Sequence, residues 1–241
     1  MGVLALTDVS ASLIADWIDE QRRLFYADRV DSAVTRGEEV RRAANDWLQQ
    51  AEPAEFSAVL AQSQALQARA PLWLVRCMRR QDRLDKGIEY AYEGLAAAQA
   101  ARDARLECQL RSQYVHMLAT LGQNETALDQ GYVALGQATQ NQDALAQAAA
   151  LLALGHVHWA MQQWEDGREA YRQSLSWAQA CNDKELCGLA SNGIAAMEDH
   201  FAVEARAAGR LEEAQALARH AGELVLDFAQ FSREITPFVG D

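Results

Sequence analysis

The feature of this sequence that most constrains its fold is a 40-residue repeat. Three short polar breaks end at Asp103, Asp143 and Asp183, so that the aspartates keep one constant spacing. Two apolar helical stretches lie between consecutive breaks, and the tight turns at 122–123 and 162–163 keep the same spacing. Each repeat is therefore predicted to be a helix, a turn, a second helix and a polar loop. Stacking such hairpins buries faces that a single hairpin would leave in water.

Positions inside the predicted helices keep the register as well. Small residues follow the turns at Gly87, Ala127 and Gly167, where we expect the two helices of a hairpin to approach closely. Leucines recur in the same register at 95, 135 and 175, and we expect them to pack in the core. Chance repetition in an alanine-rich chain is the alternative, and agreement at several independent positions argues against it.

The outer repeats fit this scheme with offsets. The segment Gly209-Arg210 resembles the same turn with Ala214 as its small residue, after a first helix that is seven residues longer. Near the N-terminus, residues 27–29 resemble a turn, with Ala33 as the close-contact residue. Residues 51–53 read as a loop because proline disfavours helix in the residue before it. Pro71 falls inside a first helix by alignment, and a kink or a helix start is expected there.

These signals predict one all-α repeat domain over residues 1–241, with about five helical hairpins. The expected boundaries are 10–50, 55–103, 104–143, 144–183 and 184–230, followed by a C-terminal tail at 231–241. Good helix formers dominate the composition, prolines occur only three times, and no convincing alternating strand segment is present.

Charge and hydropathy exclude several classes of function. The formal net charge of −12 argues against a broad nucleic-acid interface, which needs clustered lysine and arginine. No run of about 18 apolar residues predicts a membrane span, and no charged start followed by an apolar stretch predicts a signal peptide. We therefore expect a cytoplasmic protein. The four cysteines form no CxxC pair and are expected to be buried, reduced and apolar in role.

One repeat carries a family resemblance. Its first helix contains Leu154-Gly155 ahead of His158, and its second contains Gly167, Tyr171 and Ser174. This pattern resembles the tetratricopeptide signature, with Gly155 at the signature glycine and Tyr171 at the aromatic of the second helix. The resemblance covers roughly residues 10–230 and implies a TPR-like α-solenoid that winds as a right-handed superhelix.

The length of the repeat adds to this resemblance. Forty-residue versions are similar to those in the sensory or partner-binding regions of bacterial signalling proteins. Residues 22–33 are similar to the first repeat ahead of some bacterial diguanylate cyclase domains, although the GGDEF motif itself is absent. The abrupt ending at Asp241 raises the alternative that the chain is part of a longer protein.

The sequence offers no catalytic, cofactor or metal motif. There is no glycine-rich phosphate loop, no HExxH and no nucleophile elbow. His156 and His158 are two residues apart and lie on different helix faces, which is poor geometry for a shared metal. His158 is expected to be a packed core residue, and the run from Glu198 to His200 is expected to be a solvated face. The chain is therefore predicted not to be an enzyme.

In tetratricopeptide folds the first helices line a concave groove, and the resemblance carries that face onto this sequence. The predicted partner-binding groove consists of Arg69, Arg76, Arg79, Arg80, Gln109, Ser112, His116, His156 and Trp159. The same register adds Leu72, Ala119, Thr120, Ala149, Leu152 and Ala160, with Asp199, Val203 and Arg206 in the longest first helix. Asparagines of the chaperone-type carboxylate clamp are missing, since Trp73, Gln113 and Ala153 occupy the equivalent positions.

Arginine and histidine in the projected groove of an acidic chain suit an acidic peptide, a terminal carboxylate or a small anion. The alternative is that the arginines only solvate a face or pair with neighbouring acids. The leading hypothesis is a non-catalytic scaffold for a protein or peptide partner in bacterial signalling or regulation. One rival is the sensory region of a larger signalling enzyme such as a GGDEF diguanylate cyclase; another is a sensor of a small molecule or signalling peptide.

Overall fold

The computed structural model describes residues 11–50 and 69–235, and these residues are helical apart from short turns. The helices are α1 (Ala11–Tyr26), α2 (Val30–Gln50), α3 (described at 69–80), α4 (Leu84–Ala100), α5 (Ala104–Thr120), α6 (Asn124–Gln140), α7 (Ala144–Ala160), α8 (Trp164–Ala180), α9 (Lys184–Ala207) and α10 (Leu211–Ile235). No strand occurs within the described ranges. The all-α prediction is therefore confirmed for that part of the chain.

The chain divides into two compact units, which are described separately. The N-terminal unit runs to Met117, and the C-terminal unit begins at Leu118. Within the C-terminal unit, successive helices from α6 to α10 pack against one another, and α7 also contacts α9. The expected loop at 51–53 lies outside the described residues, and α10 continues past residue 230 to Ile235.

Every described junction between consecutive helices has the same backbone conformation. The second residue of each three-residue turn has a positive φ, as at Gln142 (52°), Gln162 (59°) and Gly209 (76°). Its N–H donates to the carbonyl three residues earlier, and the next N–H donates to the carbonyl five residues earlier. At 141–143 these bonds are 3.1 Å and 3.0 Å long. This pair of bonds is the Schellman motif, which satisfies the last carbonyls of the preceding helix.

The aspartates that reveal the 40-residue period are helix N-caps. The Oδ1 atom of Asp143 accepts from the backbone N–H groups of Leu145 and Ala146, each at 3.1 Å. Asp103 and Asp183 cap α5 and α9 in the same way, through single bonds of 3.0 Å and 2.8 Å. Gln123 and Gln163, at the turns inside hairpins, make no side-chain cap bond. The aspartate therefore distinguishes a junction between repeats from a turn inside one.

Small residues after the turns make room for large side chains of a neighbouring first helix. A Cβ atom on Gly87 would lie 2.6 Å from Cε of Met117, and one on Gly167 would lie 2.3 Å from Cε of Met197. Both methionines are fully buried. Gly167 thus sits in a close helix contact as predicted, but its tightest neighbour belongs to α9 of the next repeat, and its own hairpin partner α7 is farther away, with Cβ of His158 at 3.4 Å. Of the three leucines in register, Leu95 is buried, whereas Leu135 and Leu175 are half-buried.

Other sequence expectations have mixed outcomes. The turn at 208–210 and the surplus of seven residues in α9 are confirmed, and Pro71 is buried within the described part of α3. Cys77 and Cys108 are buried as expected, but Cys187 is only half-buried, and Cys181 is exposed because it is the C-cap residue of α8 at a surface turn. No described helix is both long enough and apolar enough to cross a membrane.

Candidate functional site

An arginine cluster on α3 forms the centre of the candidate site. Arg76, Arg79 and Arg80 follow one another on neighbouring faces of the last turns of this helix. The guanidinium group of Arg76 lies over the ring of Trp73, 4.5 Å from its centroid. The Nη1 atom of Arg79 lies 3.0 Å from Nε2 of His116 on α5. Because a guanidinium can only donate, Nε2 of His116 is the acceptor in this contact.

The electrostatics of Arg79 are unusual. Burial, together with the nearby positive charges of Arg76 and Arg80, lowers the pKa of Arg79 to about 10. The Nε atom of Arg79 is buried and has no hydrogen-bond partner. Within the described part of the chain, no carboxylate is among the groups that shift this pKa, so the Arg79 guanidinium holds its charge against like charges. Binding of an anion beside it would relieve that repulsion.

Arg80 is already engaged in holding the hairpins together. Its Nη1 atom donates to the carbonyl oxygen of Phe25 at 2.8 Å, and its Nη2 atom lies 3.0 Å from Oδ1 of Asp28. The guanidinium also covers the ring of Phe25 at 4.8 Å from the centroid. Since these groups belong to the end of α1 and the turn after it, Arg80 fastens α3 to α1 and contributes positive charge to the cluster.

The other predicted residues of the N-terminal unit differ in accessibility. Arg69 is exposed, Gln109 is half-buried, and Leu72 is buried against Leu95 and Leu110. Ser112 is buried, and its hydroxyl donates to the carbonyl of Cys108 at 2.8 Å. The structure thus brings Arg79 and His116 together, whereas Leu72 and Ser112 are buried and cannot contact a partner directly.

In the C-terminal unit, the predicted residues lie near the end of α7. His156 is half-buried and packs edge-on against Tyr171, with ring centroids 5.4 Å apart. Trp159 is 39 % exposed and meets Trp164 edge-on at 5.1 Å. Ala149 and Leu152 are buried. Because His156 and Trp159 belong to a different unit from Arg79 and His116, a continuous strip through all four remains a prediction.

Sequence reasoning missed an aromatic cluster next to Trp159. Trp164 on α8 stacks on His200 of α9 with ring centroids 4.0 Å apart and planes inclined by 28°. His200 contacts Phe201 edge-on, and Arg168 lies over Phe201 at 4.4 Å. The sequence does show three large rings at 159, 164 and 201. It does not show how α9 is aligned along α8, and that alignment decides which rings meet.

The expectation of a solvated face from Glu198 to His200 is wrong for Glu198. This side chain is buried, and its Oε1 atom lies 3.0 Å from Nη2 of Arg172 and 3.8 Å from Nδ1 of His220. The contacts join α8, α9 and α10, so Glu198 faces the neighbouring helices. His158 is buried as predicted, and its Nδ1 atom lies 2.7 Å from Oε1 of Gln163. Within the described ranges, no group of three or more acids, histidines or cysteines is arranged to hold a metal ion.

Solved structures of repeat proteins share this architecture. A Rap protein complexed with competence and sporulation factor aligns with a TM-score of 0.67 and 13 % identity over 95 % of this chain. The chain spans 59 % of the length of that Rap protein. The apo form of RapI aligns with a TM-score of 0.56 and 12 % identity, covering 93 % of this chain and 88 % of RapI.

A putative kinesin light chain with nearly identical TPR-like repeats, from Podosopora anserina, gives a TM-score of 0.53 and 14 % identity over 89 % of this chain and 96 % of its own. No protein-family model and no curated protein sequence matches the chain. At these identities the likeness shows the fold, which is that of a TPR-like α-solenoid.

Proposed function

We propose that the chain is a non-catalytic scaffold whose first helices α3 and α5 bind an acidic peptide or another anionic group of a partner. The observation that carries this proposal is a pair of positioned cations at the end of α3, with Arg79 3.0 Å from Nε2 of His116 and Arg76 over the ring of Trp73. Burial, together with Arg76 and Arg80, lowers the pKa of Arg79 to about 10, which agrees with a site that is poor in negative charge. A folded protein gains nothing in stability from crowding like charges beside a half-buried donor. A binding site does gain, because an incoming carboxylate restores the balance and forms charge-assisted hydrogen bonds.

The geometry suits a carboxylate better than a diffuse surface interaction. Arg76 is held against Trp73, and Arg79 is held against His116, so two donors are fixed before the ligand arrives. Fixed donors lose less conformational entropy on binding than free side chains do. The solved complex of a Rap protein with competence and sporulation factor supports a partner-binding role for this fold. The setting we propose is regulatory signalling in the bacterial cytoplasm.

The test uses a fluorescein-labelled glutamate-rich peptide of about ten residues, with a lysine-rich peptide of the same length as a probe control. The variant Arg76→Gln/Arg79→Gln should bind the acidic peptide at least about tenfold more weakly than wild type. Affinity for the acidic peptide should also fall as salt is added. Glutamine is preferred to glutamate here because Arg79 is partly buried and an acid at this position would create a new buried charge.

The control variant is Arg83→Gln/Arg102→Gln, which removes the same charge at two exposed turn positions of the same unit. Circular dichroism and thermal melting check that both variants fold. Loss of Arg79 should leave the melting temperature unchanged or raised, because it removes like-charge repulsion. Equal weakening by both pairs would show that only net charge matters, and would refute the assignment of the site.

A further inference from the structure

The C-terminal unit carries a second surface whose chemistry is opposite to that of the arginine cluster. We define the aromatic edge as Trp159, Trp164, His200, Phe201 and Val203. The first four side chains form a continuous chain of ring contacts from the end of α7 across the start of α8 to α9. Val203 is one helical turn from His200 and is 68 % exposed.

The rings are fixed in place by their neighbours. Trp164 is held between Trp159 and His200, and Phe201 is covered by the guanidinium of Arg168. Rigid aromatic side chains with one face in water supply much contact area for little loss of conformational entropy. Tryptophan and arginine are also the residues most enriched at the energetic centres of interfaces. The edge therefore has the composition and the rigidity of a docking surface.

The charges around the edge determine the kind of partner it fits. Carboxylates flank the rings on both helices, at Glu165 and Asp166 of α8 and at Asp199 and Glu204 of α9. Of these, Glu204 is 57 % and Glu165 69 % exposed as side chains. Arg168 is engaged with Glu165 and Phe201, and Oε1 of Glu204 lies 3.3 Å from Nε2 of His200. The four carboxylates still outnumber the two arginines of this region, Arg168 and the exposed Arg206.

The wider unit has the same sign. Residues 118–237 contain 16 acidic and seven basic residues, so the field around the aromatic edge favours an approaching cation.

We propose that the aromatic edge docks a segment of a partner protein in which large apolar side chains alternate with lysine or arginine. The apolar side chains of that segment would lie on Trp159 and Val203. Its cations would face the carboxylates of Asp199 and Glu204, with further attraction from the exposed ring of Trp159. The proposal thus assigns Trp159, Asp199 and Val203, which the 40-residue register placed in the predicted groove, to a partner of opposite charge from that of the arginine cluster.

The experiment uses three synthetic peptides of about twelve residues, labelled with fluorescein and measured by anisotropy. One alternates leucine with lysine, the second replaces each lysine by glutamate, and the third replaces each leucine by serine. The first should bind the full chain, and the other two should bind at least about tenfold more weakly, since each lacks one half of the recognition. Equal binding of the serine peptide would overturn the proposal, because charge alone would explain it.

Matched variants locate the binding. Trp159→Ala and Val203→Ser should each weaken binding of the leucine–lysine peptide by about tenfold, whereas Trp177→Ala, at a tryptophan that is 41 % exposed elsewhere on α8, should not. Val203→Ser serves as the second variant because so exposed a side chain is not needed for folding. If the Trp159 and Val203 variants bind as tightly as wild type, the aromatic edge is not the site.

The charge contribution is tested by a pair of double variants. Asp199→Asn/Glu204→Gln should weaken binding several-fold, and Asp129→Asn/Glu169→Gln, which removes equal charge at exposed positions of the same unit, should not. Equal effects would mean non-specific attraction and would refute the site. The variant Arg76→Gln/Arg79→Gln should bind this peptide as wild type does, so failure here and failure of the proposed site for acidic peptides are distinguishable.

Sedimentation of wild type and Val203→Ser tests whether a second copy of the chain occupies the aromatic edge. A dimer that is lost in the variant would make the edge a self-interface and contradict the proposal.

Discussion

The ring of Tyr171 fills the space that a side chain on Gly155 would need. A Cβ atom built on Gly155 of α7 would stand 2.5 Å from Cε1 of Tyr171 on α8. Gly193 of α9 meets the same ring, with its Cβ position 2.6 Å from Cε1. The tyrosine is buried and lies between the first helices α7 and α9, each of which has a glycine at the point of contact. Glycine is therefore needed at position 155 because the Tyr171 ring leaves no room for a side chain, and not because of a turn.

The first prediction follows from that contact. Gly155→Ala should lower the free energy of unfolding by about 1–3 kcal/mol, because the rigid ring of Tyr171 cannot yield as a flexible chain would. Gly136→Ala is the matched control, since nothing lies within 4 Å of its Cβ position on α6. Alanine there should stabilise by about 0.5–1 kcal/mol through helix propensity. Urea midpoints that move in the same direction for both variants would contradict this account.

A second prediction concerns Gly167, which opposes the end of a flexible side chain. Gly167→Ala should be tolerated or mildly stabilising, because only Cε of Met197 must move and alanine is the better helix former. Gly167→Leu should cost about 1–3 kcal/mol by overpacking the hairpin. Urea denaturation measures both, and Met197→Ala in the leucine background should recover part of the loss. An unchanged midpoint for Gly167→Leu would show that the contact does not limit packing.

Removing an N-cap gives the third prediction. Asp143→Ala deletes the two bonds to Leu145 and Ala146 at the start of α7 and should cost about 1 kcal/mol. Gln163→Asn is not a suitable control, because its amide also contacts His158. Gln123→Ala, at a turn residue without a cap bond, should change stability by less than about 0.5 kcal/mol. Thermal melts of the two variants should therefore separate, and coincident melts would count against the role of the cap.

The fourth prediction concerns the acid limb of stability. Burial raises the pKa of Glu38, but hydrogen bonds from Tyr90 and Arg41 and the charges of Arg41 and Lys86 outweigh it, so the pKa lies below its ordinary value of 4.5. A lowered folded-state pKa contributes stability that is present above the unfolded value and is lost as the pH falls through the folded value. Glu38→Gln should thus lower the urea midpoint at pH 7 and flatten its decline below about pH 5. Glu125→Gln, at an exposed carboxylate, should keep the decline of wild type.

Thiol reactivity provides the fifth prediction. Burial raises the pKa of Cys77 to about 12 in spite of the neighbouring Arg76 and Arg80, so its thiolate is negligible at pH 8. Cys181 is exposed at the end of α8 and should react first with a disulfide reagent. The variant Cys181→Ser should lose the fast phase, and Cys77 should react only after the chain is unfolded in urea. Rapid modification of Cys77 in the folded protein would contradict its buried placement.

Much of the fold follows from local rules that the sequence displays directly. Turns and apolar helix faces act within a few residues of each other, so the repeat boundary at Asp143 could be predicted from the sequence. Gly167 could be predicted from its register after a turn, although the side chain that it accommodates, Met197, lies in the next repeat. The positive φ values could not, because glutamine at 142 and 162 carries no mark of the left-handed region. Backbone hydrogen bonds impose that conformation there, and the side chain is incidental to it.

The candidate site was harder to predict because it depends on contacts between helices. Register predicted that Arg76, Arg79 and His116 line one groove, and the structure brings two of them, Arg79 and His116, into contact. Register alone did not reveal that Ser112 is buried, that Arg80 is fastened to the end of α1, or that Trp164 stacks on His200. These relationships depend on how far each side chain reaches across to its neighbour, which a 40-residue spacing does not specify.

The uniform turns have a consequence for how such a chain can grow. A junction made by main-chain bonds accepts aspartate, arginine, glutamine, asparagine or glycine at its left-handed position, as at 28, 102, 142, 182 and 122. A duplicated repeat would therefore carry the turn that joins it to its neighbours and would need no new turn sequence. Insertion, loss or exchange of hairpins then depends on matching packing surfaces and on the capping aspartate, while the side chain at the left-handed position can vary.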